Sequence, residues 1–219
     1  MFLVIPGIIF AIWAQGRVRA AYGRYSQVAV STGVPGAAAA RAVLDAGNLR
    51  EVGVEEIGGQ LTDHYDPNGR VLRLSSEVYR GRSLAAVGIA AHEAGHALQH
   101  SVGYAPLQWR MAIIPLTRFG SMAAWPLAFA GLFFGIPMLI AAGIWLFAAV
   151  VAFQVITLPV EFNASARAKQ RLVELGVVSA DERRGVDAVL NAAALTYVAA
   201  MAMAVLQLVR LLALRNARH

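Results

Sequence analysis

The chain has 219 residues, 58% of them apolar and only 15% charged, whereas a soluble domain carries roughly a quarter charged residues. Its net charge of +6 could suit nucleic acid, but no basic run is interleaved with aromatics, so no nucleic-acid partner is expected. The absence of cysteine excludes disulfides and thiolate zinc sites, and the remaining expectation is an integral membrane protein in contact with a lipid bilayer.

Residues 1–16 read as an N-terminal membrane anchor. Phe2 to Ala14 is apolar, and Arg17, Arg19 and Arg24 follow it. A secretory signal has the opposite order, so this is an uncleaved anchor with its cationic end in the cytoplasm. Residues 17–118 form the polar α+β part. Within it, Pro35 to Leu49 reads as an amphipathic helix with Ala38, Ala42, Val43 and Leu44 on one side, stopped by Gly47-Asn48. Ile57 to Tyr65 and Arg70 to Leu74 read as the strands of a β-hairpin about the turn Asp66-Pro67-Asn68-Gly69. Arg70 to Leu74 is expected either as an ordinary hairpin strand or as an edge strand that could take an extended peptide by backbone pairing. From Ser83 to about His100 the pattern is helical, with Ser83 as N-cap.

Residues 119–160 hold no charge. As one helix they would reach roughly 60 Å, about twice the hydrocarbon thickness, so they must fold back. Gly135-Ile136-Pro137 supplies the break, giving a transmembrane hairpin with spans near 119–135 and 138–160. A helical segment at 161–189 follows. Residues 190–219 read as a C-terminal transmembrane helix, interrupted by Arg210 and ending in the basic tail of Arg215, Arg218 and His219. The expected fold is mainly α, with about four transmembrane helices and a small α+β domain. Four crossings would leave the basic tail outside. Either the tail tolerates that, or the first or last segment lies in the interface.

On the helix after Ser83 sits His92-Glu93-Ala94-Gly95-His96, an HExxH. Residues at i and i+4 share a helix face, so both imidazoles can bind one ion while Glu93 beside them can take a proton from a metal-activated water. With 5 histidines in the chain, chance placement of this motif is about 0.4%. A catalytic zinc needs a third protein ligand and an open position. His100 lies roughly 12 Å along the helix from His92, too far to share the ion. The longer HExxHxxGxxH pattern also fails, because Gln99 and Val102 stand at its last two fixed positions. Glu161 is the better third ligand. It follows the hairpin directly, the hairpin returns the chain to its starting face, and no other acidic residue lies between Glu93 and Glu174. Ser165 or Asn163 could accept a hydrogen bond from the outer ring N–H of a ligand histidine.

The runs SLAAVGIAAHEAGHALQH, LPVEFNASARA, ALTYVAAMA and TDHYDP resemble the YugP-type neutral zinc metallopeptidases of bacteria, and are similar also to the HtpX-type proteases. The resemblance covers nearly the whole chain. It implies a peptidase of the bacterial cell membrane with one Zn2+, facing the cytoplasm, and leaves its physiological substrates undefined; peptides or membrane proteins are the expected partners. Mapped here, His92, His96 and Glu161 would be the ligands and Glu93 the base. HtpX-type enzymes carry Asp four residues after the ligand Glu, where this chain has Ser165. For the oxyanion, Tyr197 and His64 are candidate donors. The competing expectation is a non-catalytic, zinc-stabilised membrane scaffold or adaptor, which would be indifferent to Glu93→Gln.

Overall fold

The computed structural model describes residues 2–216. A 3-10 turn at Phe2–Val4 leads into α1 (Ile5–Tyr25), α2 (Gly36–Ala46), β1 (Gly53–Ile57), β2 (His64–Asp66), β3 (Val71–Ser75), α3 (Ser76–Arg80), α4 (Leu84–Ser101), α5 (Ala105–Phe134), α6 (Pro137–Glu174) and α7 (Arg183–Asn216). These elements build two compact units, each discontinuous in sequence. Arg218 and His219 of the expected basic tail lie outside the described residues.

One unit takes the chain up to Ala14, Ala105–Pro159 and the chain from Leu195. Ala124, Ala128, Ile140, Ile144, Phe147 and Leu211 make its buried core. Small residues let α5 and α6 approach closely. A Cβ on Gly120 would stand 2.7 Å from the Leu146 carbonyl oxygen, and one on Gly143 would stand 2.6 Å from that of Ala124. Such backbone contact is how helices associate where lipid supplies no hydrophobic drive. Gly135 sits at φ +68°, a left-handed conformation open to glycine, and Pro137 opens α6, so the chain turns at the expected tripeptide. Arg210, isolated in an apolar stretch, lays its guanidinium 5.0 Å from the Trp125 ring centroid, a cation–π contact.

Among the described residues, two helices, α6 and α7, are long and apolar enough to cross a membrane. This corrects the expectation of four crossings. The charge-free part of α1 ends at Gly16, roughly 18 Å along, and that of α5 runs from Phe119 to Phe134, roughly 24 Å. Both fall short of the hydrocarbon thickness. Phe133, Met138 and Trp145 are nonetheless largely exposed on the outside of α5 and α6, an arrangement suited to lipid rather than water.

The other unit takes Gln15–Tyr104 and Val160–Ala194. Its core joins α2, the sheet and α4 to the chain segments around Leu172, Val178 and Leu190. On α2 the buried stripe is Ala39, Ala40, Val43 and Leu44, while Ala38 is exposed and Ala42 half-buried. The expected stripe holds at Val43 and Leu44 but not at Ala38 and Ala42, because the face that packs inward is the one bearing Gly36, which lies against the Val78 carbonyl. The sheet order is β1-β3-β2. β1 pairs with β3 in parallel, Gly53 opposite Val71, and β2 pairs with β3 antiparallel, Tyr65 opposite Leu72. The hairpin turn forms as expected, with Asp66 Oδ1 accepting from the Asn68 and Gly69 N–H groups and Asp66 Oδ2 from Arg73. β3 is therefore the central strand, and the expectation that Arg70 to Leu74 offers a free edge to a peptide is corrected. Both of its sides are already paired. The strand expected from Ile57 does not run on, since Gly59 at φ +99° and Leu61 at φ +54° break it.

Ser83 caps α4 by accepting from the Ala86 N–H at 3.2 Å. Ser179 and Glu182 cap each other's backbone N–H just ahead of α7, a capping box.

Candidate metal centre

His92 and His96 project from the same face of α4, their ring centroids 4.7 Å apart and the planes near perpendicular at 82°. Helical spacing alone brings the rings together. Glu161 comes from α6, is 2% exposed, and points one oxygen at both rings: Oε2 lies 3.3 Å from His92 Nε2 and 3.7 Å from His96 Nε2. The ligating atoms of these three residues all lie within 4.8 Å of one another. What lets the two helices come so close is Gly95. A Cβ there would stand 2.6 Å from the Ala164 carbonyl oxygen, so α6 backbone occupies the space of the missing side chain.

The donor set fits zinc. Tetrahedral bonds of about 2.0–2.1 Å hold ligand atoms about 3.4 Å apart, and the two Nε2–Oε2 separations bracket that value. Two imidazoles with a carboxylate is also a chemistry zinc accepts while keeping one position open.

The outer ring nitrogens have partners as well. His92 Nδ1 lies 3.1 Å from Ser165 Oγ, and His96 Nδ1 lies 3.0 Å from Gln99 Oε1. Of the two alternatives the sequence left open, Ser165 contacts a histidine. Asn163 Oδ1 instead accepts from Gln99 Nε2 and Arg167 Nε. Burial pushes the His96 imidazole down, but the Glu161 and Glu93 carboxylates outweigh it and hold the ring above its ordinary value.

Glu93 is buried beside the rings, and its Oε2 accepts from the Tyr65 N–H at 3.0 Å. The strand β2 thus braces the carboxylate. Tyr65 is tied down a second time, its hydroxyl 2.9 Å from His100 Nδ1. Just before β2, Asp63 accepts from the Ser75 N–H and Oγ. Burial pushes the Asp63 carboxyl up, and the nearby charge of Glu93 pushes the same way.

His92, His96 and Glu161 are brought together, with Glu93 next to them on α4. His100 serves Tyr65 and stands outside the cluster. His64 takes no part in it either: it is exposed, opposite Arg73, with Nδ1 2.8 Å from the Thr62 carbonyl oxygen. Tyr197 is half-buried on α7, in the other compact unit. Sequence reasoning missed Tyr65 and Gln99. The i+3 spacing of Gln99 from His96 was a usable signal, since it places the amide on the face of the ring it contacts. Tyr65 acts through its backbone N–H, which no side-chain motif reports.

An HExxH helix with a glutamate brought in from a second helix makes a His-His-Glu cluster that could hold a metal ion. The chain belongs to the family described as "Putative neutral zinc metallopeptidase", whose model matches residues 1–216. It is 49% identical over 210 residues to "Putative membrane protease YugP" of Bacillus subtilis (strain 168), a match covering 96% of this chain and 93% of that protein. No solved structure matches it. Family membership and the His-His-Glu cluster together make zinc its cofactor.

Proposed function

We propose that the protein is a membrane zinc endopeptidase in which His92, His96 and Glu161 hold the ion and Glu93 is the general base. The observation that carries this reading is the approach of one Glu161 oxygen to both imidazole Nε2 atoms, at 3.3 and 3.7 Å, beside the helix that also bears Glu93. Three protein donors leave a fourth position open, as in catalytic rather than structural zinc.

Zinc, when bound, supplies Lewis acidity that acidifies a water in the open position and polarises a peptide carbonyl. The chain does the rest. Glu93 is held at Oε2 by the Tyr65 N–H, so Oε1 takes the proton from the water and delivers it to the leaving amine nitrogen. Ser165 and Gln99 keep the two rings turned toward Glu161. Tyr197 and His64 are the side chains proposed to donate to the developing oxyanion.

The substrates we propose are peptides or membrane proteins at the cytoplasmic face of a bacterial cell membrane. Arg17, Arg19 and Arg24, following the first apolar run, support that orientation. The apolar helices α6 and α7 and the membrane protease among its relatives support the membrane itself.

Glu93→Gln tests the reading. The purified variant should bind one zinc as the parent does and lose roughly 10³-fold or more in peptide hydrolysis. Full-length substrates should accumulate in membranes that carry it. A variant that hydrolyses peptides at the parent rate would remove Glu93 from the role of base, and a zinc-loaded parent that hydrolyses none would make the zinc structural and the protein a scaffold.

A further inference from the structure

We propose that Gln99 is a positioning residue that fixes the tautomer of His96 and ties that ring to the backbone next to Glu161. The proposal rests on the reading of His96 and Glu161 as zinc ligands. Gln99 lies one turn beyond His96 on α4 and is completely buried. A buried primary amide persists where its donors and acceptor are all engaged, and here each of them is.

The orientation of this amide follows from its neighbours. Gln99 Nε2 lies 2.8 Å from the Val160 carbonyl oxygen. A carbonyl can only accept, so the NH2 end must face it. The Oε1 end is then left toward His96, 3.0 Å from Nδ1. An amide oxygen can only accept as well, so His96 Nδ1 must carry a proton and donate. In a neutral imidazole the lone pair then resides on Nε2, the atom 3.7 Å from Glu161 Oε2. Asn163 Oδ1 reinforces the orientation by accepting from Gln99 Nε2 at 3.1 Å, while also accepting from Arg167.

Each step follows from the one before. The backbone carbonyl of Val160 orients the amide, the amide oxygen selects the tautomer that carries its proton on Nδ1, and Nε2 is left free to ligate. Val160 is also the residue before Glu161, so one side chain sets the tautomer of one ligand and the register of the helix that bears another. His92 is held differently. Ser165 Oγ, 3.1 Å from its Nδ1, can donate or accept and selects neither tautomer. The site is therefore asymmetric, with His96 oriented in advance and His92 adaptable.

Two substitutions separate the orienting role from simple packing. Both Gln99→Leu and Gln99→Glu lose the donor to Val160, but Gln99→Glu keeps an oxygen that can accept from His96 Nδ1. The full chain in detergent is loaded with zinc and titrated with a competing chelator, and peptidase kcat/KM and the melting midpoint of the zinc-free form are measured beside it. Gln99→Leu should lose 10–100-fold in zinc affinity and in kcat/KM, and Gln99→Glu should stay within a few-fold of the parent in affinity. Both should show similarly lowered zinc-free midpoints. Should Gln99→Leu fail to fold, Gln99→Met fills the space with a flexible chain and replaces it in the comparison.

Equal losses of affinity in the Leu and Glu variants, following their midpoints, would reduce Gln99 to a packing residue and overturn the proposal. Parent-like affinity in Gln99→Leu would do the same. If His96→Ala binds zinc as well as the parent, the ligand reading itself has failed, an outcome distinct from either of these.

Discussion

Gly95→Ala puts the geometry of the metal centre under direct strain. The added methyl would stand 2.6 Å from the Ala164 carbonyl oxygen and 3.3 Å from the Ala164 Cα. Ordinary contact between such atoms needs about 3.4 Å, so the backbones of α4 and α6 must part by about 0.8 Å at this point. Glu161 lies three residues before Ala164 on the same helix, and its carboxylate moves with that backbone. Zinc sites hold their ligand distances to within about 0.2 Å, so the displacement exceeds the tolerance several-fold. Zinc affinity and kcat/KM should each fall by about 10–100-fold. Chelator competition and peptide hydrolysis on the detergent-purified protein read both quantities. Gly88→Ala is the matched control on α4, since its new methyl meets only the Val186 side chain at 3.1 Å. It should leave both quantities within about twofold. Parent-like zinc binding in Gly95→Ala would refute the claim that backbone contact at this glycine sets the position of Glu161.

Other perturbations lead to separate outcomes. Ser165→Ala removes the hydroxyl partner of His92 and should weaken zinc binding about tenfold while Glu93 chemistry persists, as measured by activity under saturating zinc. The Gly69 N–H and the Arg73 guanidinium hold the Asp66 carboxyl below the usual carboxylate range. Its contribution to the β2–β3 turn is therefore present above about pH 4, the unfolded value, and is lost as pH falls through the lower folded one. Hydrogen exchange at Asn68 and Gly69 should rise in that acid window, and in Asp66→Asn the rise should be absent. Tyr197→Phe tests the oxyanion donor: a loss of about 10²-fold in kcat with unchanged zinc binding is expected, and a loss below tenfold removes Tyr197 from the role.

The parts of this molecule that follow from local periodicity were legible in the sequence. The HExxH face of α4 comes from a four-residue spacing, the Ser83 cap from one side chain, and the turn at Asp66 from its own backbone-binding carboxylate. The placement of Glu161 needed a longer argument, that a charge-free stretch too long for one span must return, and the meeting of Glu161 with His92 and His96 accords with it. Non-local pairing was out of reach. Nothing in Gly53–Ile57 announces a parallel partner at Val71–Ser75, so the central place of β3 went unseen. The count of crossings failed for a related reason. Each apolar run was counted as a crossing although the run before Arg17 in α1 and the one after Arg118 in α5 are too short to span. Gln99 was legible in spacing, but its role depends on Val160, sixty-one positions away in the chain.

Zinc titration of Glu161→Ala against a competing chelator bears most directly on the account. The central claim is that this buried carboxylate, 3.3 Å from one imidazole nitrogen and 3.7 Å from the other, completes the metal site. The account predicts a loss of at least about 100-fold in affinity in a protein whose helices remain folded. Stoichiometric zinc at parent affinity in that variant would contradict it.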